Sequence, residues 1–439
     1  MRNRRNKRNF NRDLLDYLKL ITNLLLVLIC LAISIFVCSS IKVKNSMPIS
    51  KKQNASINTI TEPDTKLSTE ELLNNAYNNI INDVKVETSE HTDSKKSKTI
   101  NLAFTGDIIC GNSIYKDAYK QESNIYDFSY LFDNIKFNIQ TADIAVGSLE
   151  TDFSASTTYK SNEISTNPEN LAYTLKKIGF DVLSTANNHS LDKGYSGLVR
   201  TIDILDNADL SHTGTFKSEE EKNSILIKNV KGLKIAFLDF SYGTNISIPS
   251  DKAFCINILN EHQIETQLAL AKTEDPDLIC VYTHWGNRYQ STPNADQQKW
   301  VDFLLKKGAD IIIGNHPHVL QPIEKREITL PDGTIKQGFI AYSLGNFIAD
   351  QTQNNTKTSA ILNLKITKDY VNNKLNFDSI SYTPIYIYKD TTKTTQKFSI
   401  LNLKNTIASY EAGYDKSISN KNYTLFKTEL QNIQKILGD

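Results

Sequence analysis

Read from the amino end, the first long feature of the hydrophobic pattern is Leu20 to Ile41, 22 residues without a charge and rich in Leu, Ile and Val. As a helix it would reach about 33 Å at 1.5 Å per residue, enough to cross a bilayer once. Residues 42–98 are mostly polar and bury too little to fold alone, so they read as a spacer. From Thr99 short apolar runs alternate with helix-period patterns, the texture of an α/β domain. Strands are predicted at Ile100–Thr105, Asp143–Gly147, Phe180–Thr185, Leu233–Asp239, Leu278–Thr283, Asp310–Gly314, Gly338–Ser343 and Ala360–Ile366. Helices are predicted at Pro168–Ile178, Tyr195–Asn207, Asn260–Lys272 and Ala295–Lys307, with Gly179 and Gly308 as stops. After about residue 390 the pattern turns polar, with one terminal helix at Tyr423–Leu437. The expected units are a basic tail (1–19), a membrane helix (20–41), the spacer (42–98), the α/β domain (99–390) and a helical tail (391–439).

Charge sharpens the membrane reading. The chain of 439 residues is nearly balanced, with 50 Lys and Arg against 49 Asp and Glu, which speaks against a nucleic-acid binder. Residues 1–19, however, hold seven Lys or Arg against two Asp, and the positive-inside rule puts that tail in the cytoplasm and everything after the apolar run outside. A cleaved signal peptide is the alternative, but the run exceeds the usual h-region and no small-x-small site follows, so an uncleaved single-pass anchor in the cell membrane is preferred. Val37 before Cys38 is too bulky for lipoprotein processing. Cys30 and Cys38 fall in the apolar run, leaving Cys110, Cys255 and Cys280, an odd and sparse set that gives no disulfide framework.

The informative chemistry follows the strands. The first runs into Gly106-Asp107, the second into Ser148-Leu149-Glu150, and the third into Asn187-Asn188-His189. Two later strands lead into His284-Trp285-Gly286 and Asn315-His316-Pro317-His318. Ligands of open α/β sheets collect at carboxyl ends of strands, and carboxylate, amide and imidazole together form a donor set for Mn²⁺, Fe²⁺ or Zn²⁺. A carboxylate flanked by histidines suits two metals sharing a hydroxide. Each piece alone is an ordinary turn residue or structural histidine; their recurrence at successive strand ends is what favours a site. His91, His212 and His262 do not share this placement and read as structural or exposed.

These residues, with Phe104-Thr-Gly-Asp107, Ala142 through Glu150, Ser184 through His189 with Asp192 and Gly194, Gly308 through His318 and Tyr342-Ser-Leu-Gly-Asn346, resemble the CapA family of bacterial capsule-synthesis proteins of the poly-γ-glutamate type, in the calcineurin-like metallophosphatase superfamily. The resemblance spans about residues 99–390. It implies a four-layer α/β/β/α sandwich with the site at one edge. By the superfamily pattern Asp107 and His318 would bind one divalent ion, Asn188, His284 and His316 a second, and Glu150 would bridge. His189 resembles the proton donor to the leaving group, with Asp192 as its orienter. Arg288 and Asn346 are the expected substrate contacts. The chain departs from the pattern at Ile109, where metallophosphatases usually have a histidine, and at Ser148, Asn315 and Arg288. Cys110 is adjacent to the gap, but its better reading is a small buried apolar residue.

Three functions compete on this reading. The first is a membrane-anchored, extracytoplasmic component of anionic-polymer biosynthesis or export, working beside other membrane capsule-synthesis subunits. The second is a cell-surface metal-dependent hydrolase of a phosphoester or amide. The third is a non-catalytic polymer-binding scaffold, favoured by Ile109, whereas retention of Asn188, His189 and His284 favours catalysis. No glycine-rich nucleotide loop is present, so ATP-driven ligation would belong to another subunit.

Overall fold

The computed structural model describes residues 96–153, 166–330 and 333–438. The basic tail, the apolar run and all but the end of the spacer lie outside the described residues. Among the described residues no helix is long and apolar enough to cross a membrane.

Period-two alternation builds the architecture. Strand β1 (Ser97–Ile108) turns Ile100, Leu102 and Phe104 to one face and Ala103 and Ile108 to the other. Small pairs follow, β2 (Tyr119–Lys120) with β3 (Ile125–Tyr126), and beyond β4 (Ile144–Leu149) also β5 (Asp152–Phe153) with β6 (Thr166–Asn167). Next come β7 (Val182–Ser184) and β8 (Ser211–Thr213), which continue the sheet parallel to β1 and β4. The second sheet opens with β9 (Leu226–Val230) and continues with β10 (Leu233–Ser241), β11 (Leu278–His284), β12 (Ile311–Asn315), β13 (Ile323–Thr329) and β14 (Ile335–Ala341), in the order β13-β14-β12-β11-β10-β9. The chain then returns to the first sheet through β15 (Asn346–Ile348), β16 (Thr358–Asp369), β17 (Lys374–Lys389) and β18 (Phe398–Asn402), giving β18-β17-β16-β1-β4-β7-β8 with β15 beside the end of β1.

Burial on both faces explains why the parallel strands read as unbroken apolar runs. Ile100, Leu102, Phe104, Ile144 and Val146 of the first sheet pack against Ile235, Phe237, Cys280, Tyr282, Ile311 and Ile313 of the second. The Tyr282 hydroxyl also donates to the Val146 carbonyl at 3.0 Å, tying sheet to sheet. Alternate residues face helices: Ala236, Leu238, Val281 and Ile312 meet the helices Glu261–Thr273 and Ala295–Lys307. On the other side Ala103, Ala145 and Leu183 meet Asn170–Ile178 and the end of Gly194–Asn207. The layers are therefore α/β/β/α.

Every strand and helix predicted between Ile100 and Leu437 is present, with ends shifted by a few residues. Not anticipated were, among others, β13 and β17, many of whose outward positions are polar or charged, the short edge strands β9 and β18, and the helix Leu403–Glu411. Residues 398–437, read as a polar tail with one helix, add β18 to the first sheet. They also lay Leu403, Ile407, Phe426 and Ile433 against Ala360 and Tyr386.

Candidate metal centre

The carboxyl ends of β1, β4, β7, β11 and β12 meet at one edge, and two close backbone approaches bring them there. A Cβ on Gly106 would lie 1.9 Å from the Gly345 carbonyl oxygen, and one on Gly314 would lie 2.0 Å from that of Tyr342. Only glycine lets both strand ends press against the Tyr342–Asn346 turn. Asp107 donates its N–H to Gly345 at 2.9 Å and sits beside Asn346 in the parallel register. His316 and His318 hold φ of +93° and +60°, conformations costing non-glycine residues about 1–3 kcal/mol each. Part of what holds that loop is the His316 N–H, which donates to Asp107 Oδ2 at 3.1 Å.

The donor atoms form two overlapping groups. In the first, His318 Nδ1 lies 3.5 Å from Asp107 Oδ2 and 3.7 Å from Glu150 Oε2. In the second, His284 Nε2 lies 2.8 Å from Asn188 Oδ1, 3.0 Å from His316 Nδ1 and 3.8 Å from Glu150 Oε1. Glu150 thus turns one oxygen to each group. Asp107, Glu150, Asn188, His284, His316 and His318 are all buried. Glu150 with His316 and His318, and Asp107 with Glu150 and His284, each hold their ligand atoms within 4.8 Å of one another.

Electrostatics prepare these groups for a cation. Burial, then the neighbouring His316, holds the His284 imidazole well below its usual range; burial, then His318, brings His316 down to about 3. Both rings are therefore neutral and keep lone pairs. Burial, then the Asp107 charge, pushes the Glu150 carboxyl well up. Glu150 Oε2 and His284 Nδ1 are buried without a hydrogen-bond partner, an arrangement that is costly without a counter-charge. Two ligands about 2.1 Å from one cation at the right angle of octahedral coordination stand about 3 Å apart, close to the 2.8 Å and 3.0 Å from His284 Nε2 to Asn188 Oδ1 and His316 Nδ1. The residues fit a divalent metal.

Beside the donors, His189 Nδ1 pairs with Asp192 Oδ2 at 2.7 Å, and its Nε2 lies 3.8 Å from Glu150 Oε1 and 3.5 Å from an Arg288 guanidinium nitrogen. Glu150, His189, Arg288 and His318 line an open cleft of about 690 Å³. Such an edge can polarise a substrate oxygen, hold water and pass a proton at His189.

The sequence profile of the family described as "Bacterial capsule synthesis protein PGA_cap" matches residues 101–351. The chain belongs to this family. Among PGA_cap relatives it is similar to the capsule biosynthesis protein CapA of Bacillus anthracis, 29% identical over 71% of this chain and 77% of that one. It is also similar to the PGA biosynthesis protein CapA of Bacillus subtilis strain 168, 28% identical over 69% and 75%. A solved phosphatase from Mycoplasma pneumoniae aligns over 66% of this chain and 94% of its own, at 14% identity and a TM-score of 0.38.

In this PGA_cap member the six expected metal ligands stand together, with the His189 and Asp192 pair and Arg288 at their side. Asn346 is fully buried: His318 Nδ1 lies 3.2 Å from its Oδ1, and its Nδ2 donates to Gln351 and Thr356. It touches the same His318 nitrogen that faces Asp107 and Glu150, and it does not line the cleft. Ile109 lines the cleft as an apolar residue, and Ser148 Oγ donates to Asp107 Oδ1 at 3.0 Å. Cys110, Cys255 and Cys280 are buried and free, and burial pushes the Cys110 thiol up, away from ligand chemistry. His212 pairs with Asp206, and His262 is exposed on a helix.

Three residues at the site escape a reading of the sequence. Asn245, on the loop after β10, accepts from Asn188 Nδ2 at 3.1 Å and points its own Nδ2 at His189 Nδ1 (3.2 Å) and Asp192 Oδ1 (3.4 Å). It links a metal-ligand group to the proton-carrying pair. Tyr242 and Tyr289, both partly solvent-exposed, set their rings 4.8 Å from His316 and 6.0 Å from His318. The tetrapeptide Tyr242-Gly-Thr-Asn245 directly after a strand is the one weak signal by which this loop could have been found.

Proposed function

We propose that this chain is a membrane-anchored, extracytoplasmic protein of anionic capsule-polymer biosynthesis or export, of the poly-γ-glutamate kind, that cuts its polymer hydrolytically. The supporting observation is the convergence of six buried donor residues from five strand ends next to a histidine–aspartate pair that opens on a cleft. Membership of the PGA_cap family and likeness to CapA proteins support the capsule role. Anchoring by residues 20–41, with residues 1–19 in the cytoplasm, is supported by the 22-residue uncharged run and the basic tail before it.

Asp107 and His318 would hold one ion, Asn188, His284 and His316 another, with Glu150 between them; Mn²⁺, Fe²⁺ and Zn²⁺ all suit this donor set. Bound there, a divalent ion supplies Lewis acidity and lowers the pKa of water. Asp192 fixes the orientation of the His189 ring through the 2.7 Å contact at Nδ1. His189 Nε2 then gives its proton to the departing nitrogen while water supplies the hydroxyl to the carbonyl carbon, the C–N bond breaks, and the water's remaining proton returns to His189. Arg288 meets a substrate carboxylate, and Asn346, with Oδ1 3.2 Å from His318 Nδ1, helps place that ring.

A second reading, a polymer-binding scaffold without turnover, is favoured by Ile109, an apolar side chain that lines the cleft together with His318. The two separate on His189→Ala in the metal-loaded full-length protein, with γ-linked oligoglutamate and a phosphoester as substrates. Turnover is expected to fall about 10²–10⁴-fold with metal content unchanged. Full metal content in the wild type with no turnover of either substrate would leave the scaffold.

A further inference from the structure

The centre is open on two sides. The cleft of about 690 Å³ lies on the His318 side and is lined by Ile109, Ser113, Lys116, Tyr289 and Gln351 as well as the site residues. A second cleft, of about 400 Å³, lies on the His316 side and is lined by Tyr242, Asn287, Asn294 and Trp300. Arg288 lines both. Each lies within the roughly 300–1,000 Å³ of ordinary ligand pockets, so each can seat part of a ligand by itself.

Their chemistry differs. The larger cleft carries two cations, Lys116 and Arg288, neither paired with a carboxylate among the described residues. Its remaining carboxylate outside the metal centre, Asp350, is taken up by Lys389 at 2.8 Å and by Ser113. The smaller cleft offers aromatic faces and side-chain amides, with one carboxylate, Asp296, so its arm of the ligand is held by stacking and amide contacts more than by charge. A pocket that trims chain ends is closed beyond the terminal unit, whereas here space continues past the donors in both directions.

The geometry points to a linear, carboxylate-bearing chain lying across the centre, its interior over Glu150 and His189, with one arm in the Lys116 cleft, the other in the Trp300 cleft and Arg288 at the crossing. This rests on the hydrolytic reading and deepens it: cleavage is internal, giving two shorter chains, one with a new carboxyl end and one with a new amino end.

The test uses metal-loaded full-length protein with end-labelled γ-linked oligoglutamates, a dimer and a decamer, measuring binding by anisotropy and products by mass spectrometry. The decamer is expected to bind about tenfold or more tightly than the dimer, because its second arm binds at high effective concentration. Lys116→Glu and Trp300→Ala should each weaken the decamer several-fold. Because Trp300 also packs on Phe303, Asn287→Trp, at an exposed position, serves as a plug of the smaller cleft that spares the core. Equal binding of dimer and decamer, or a decamer indifferent to the Asn287 plug, would overturn the crossing arrangement. So would release of single terminal units only, although hydrolysis itself would then stand. Length-dependent binding lost on plugging, with no new chain ends, would keep the crossing and remove the hydrolysis.

Discussion

The two ends of the paired sheets carry clefts of similar size, about 690 Å³ at the carboxyl end of the parallel strands and about 620 Å³ at the other. Both are rich in ionisable residues, and the second is lined by Asp277, Asp310, Glu327, Lys336, Lys368 and Lys374. There several of the charges are committed: Asp310 Oδ1 meets Lys336 at 2.8 Å while its Oδ2 accepts the Ile279 N–H at 2.7 Å. Asp277 accepts the Lys234 N–H, and Lys368 donates to Asn373. At the metal centre the polar groups are buried, neutralised or left without partners. Charged residues in a cleft do not by themselves make a site; buried donors with unmet valence do.

The comparison breaks most directly on His316→Ala with His318→Ala. Metal affinity should fall by more than about 100-fold in equilibrium dialysis, because one ligand is removed from each donor group. Retained stoichiometry would mean that the cation sits elsewhere. Next comes Asn245→Ala, which removes the link between Asn188 and His189. A loss of about 10–100-fold in metal affinity is expected, the range for partners of metal ligands; an unchanged affinity would reduce Asn245 to a loop residue.

A smaller effect tests burial away from the donors. Burial first, opposed by hydrogen bonds from Ala186, Ser184, Thr185 and Phe240, takes the Asp239 carboxyl from 3.8 up to about 7. The folded protein then binds an extra proton between those values, so the contribution is full at low pH and disappears as pH rises through about 7. The melting temperature should decline by a few degrees across that window, and Asp239→Asn should flatten the decline in thermal scans. Smallest is Lys368→Ala at the opposite edge, where the lysine makes an exposed hydrogen bond to Asn373. It should cost under about 1 kcal/mol in denaturant unfolding and leave metal content untouched.

How much of this could be read in advance depended on periodicity and on proximity along the chain. The runs 278–283 and 310–314 are buried on both faces, so strands such as β11 and β12 are plain in the pattern. β13, with Glu324, Lys325, Arg326 and Glu327 in a row, turns much of itself to solvent and carries no such signal. The donors stood out because each follows a strong strand. Asn245 did not, because an Asn in a Gly-Thr-Asn loop is ordinary until Asn188 and His189 are seen beside it. Asn346 was legible as a motif residue, but its burial beside His318 was not.

The amino-acid sequence by itself determined the residue types at each strand end, the α/β alternation that brings strand ends to a sheet edge, and the glycines at 106 and 314. These are local matters of side-chain period and backbone sterics. The tertiary structure decided which donors share a few ångströms, since Asp107 and His316 come from different sheets 209 residues apart and meet through one hydrogen bond. It also decided that His284 and His316 are neutral and that Glu150 faces both groups. Burial and neighbouring charge set those states, and both exist only once the two sheets have packed.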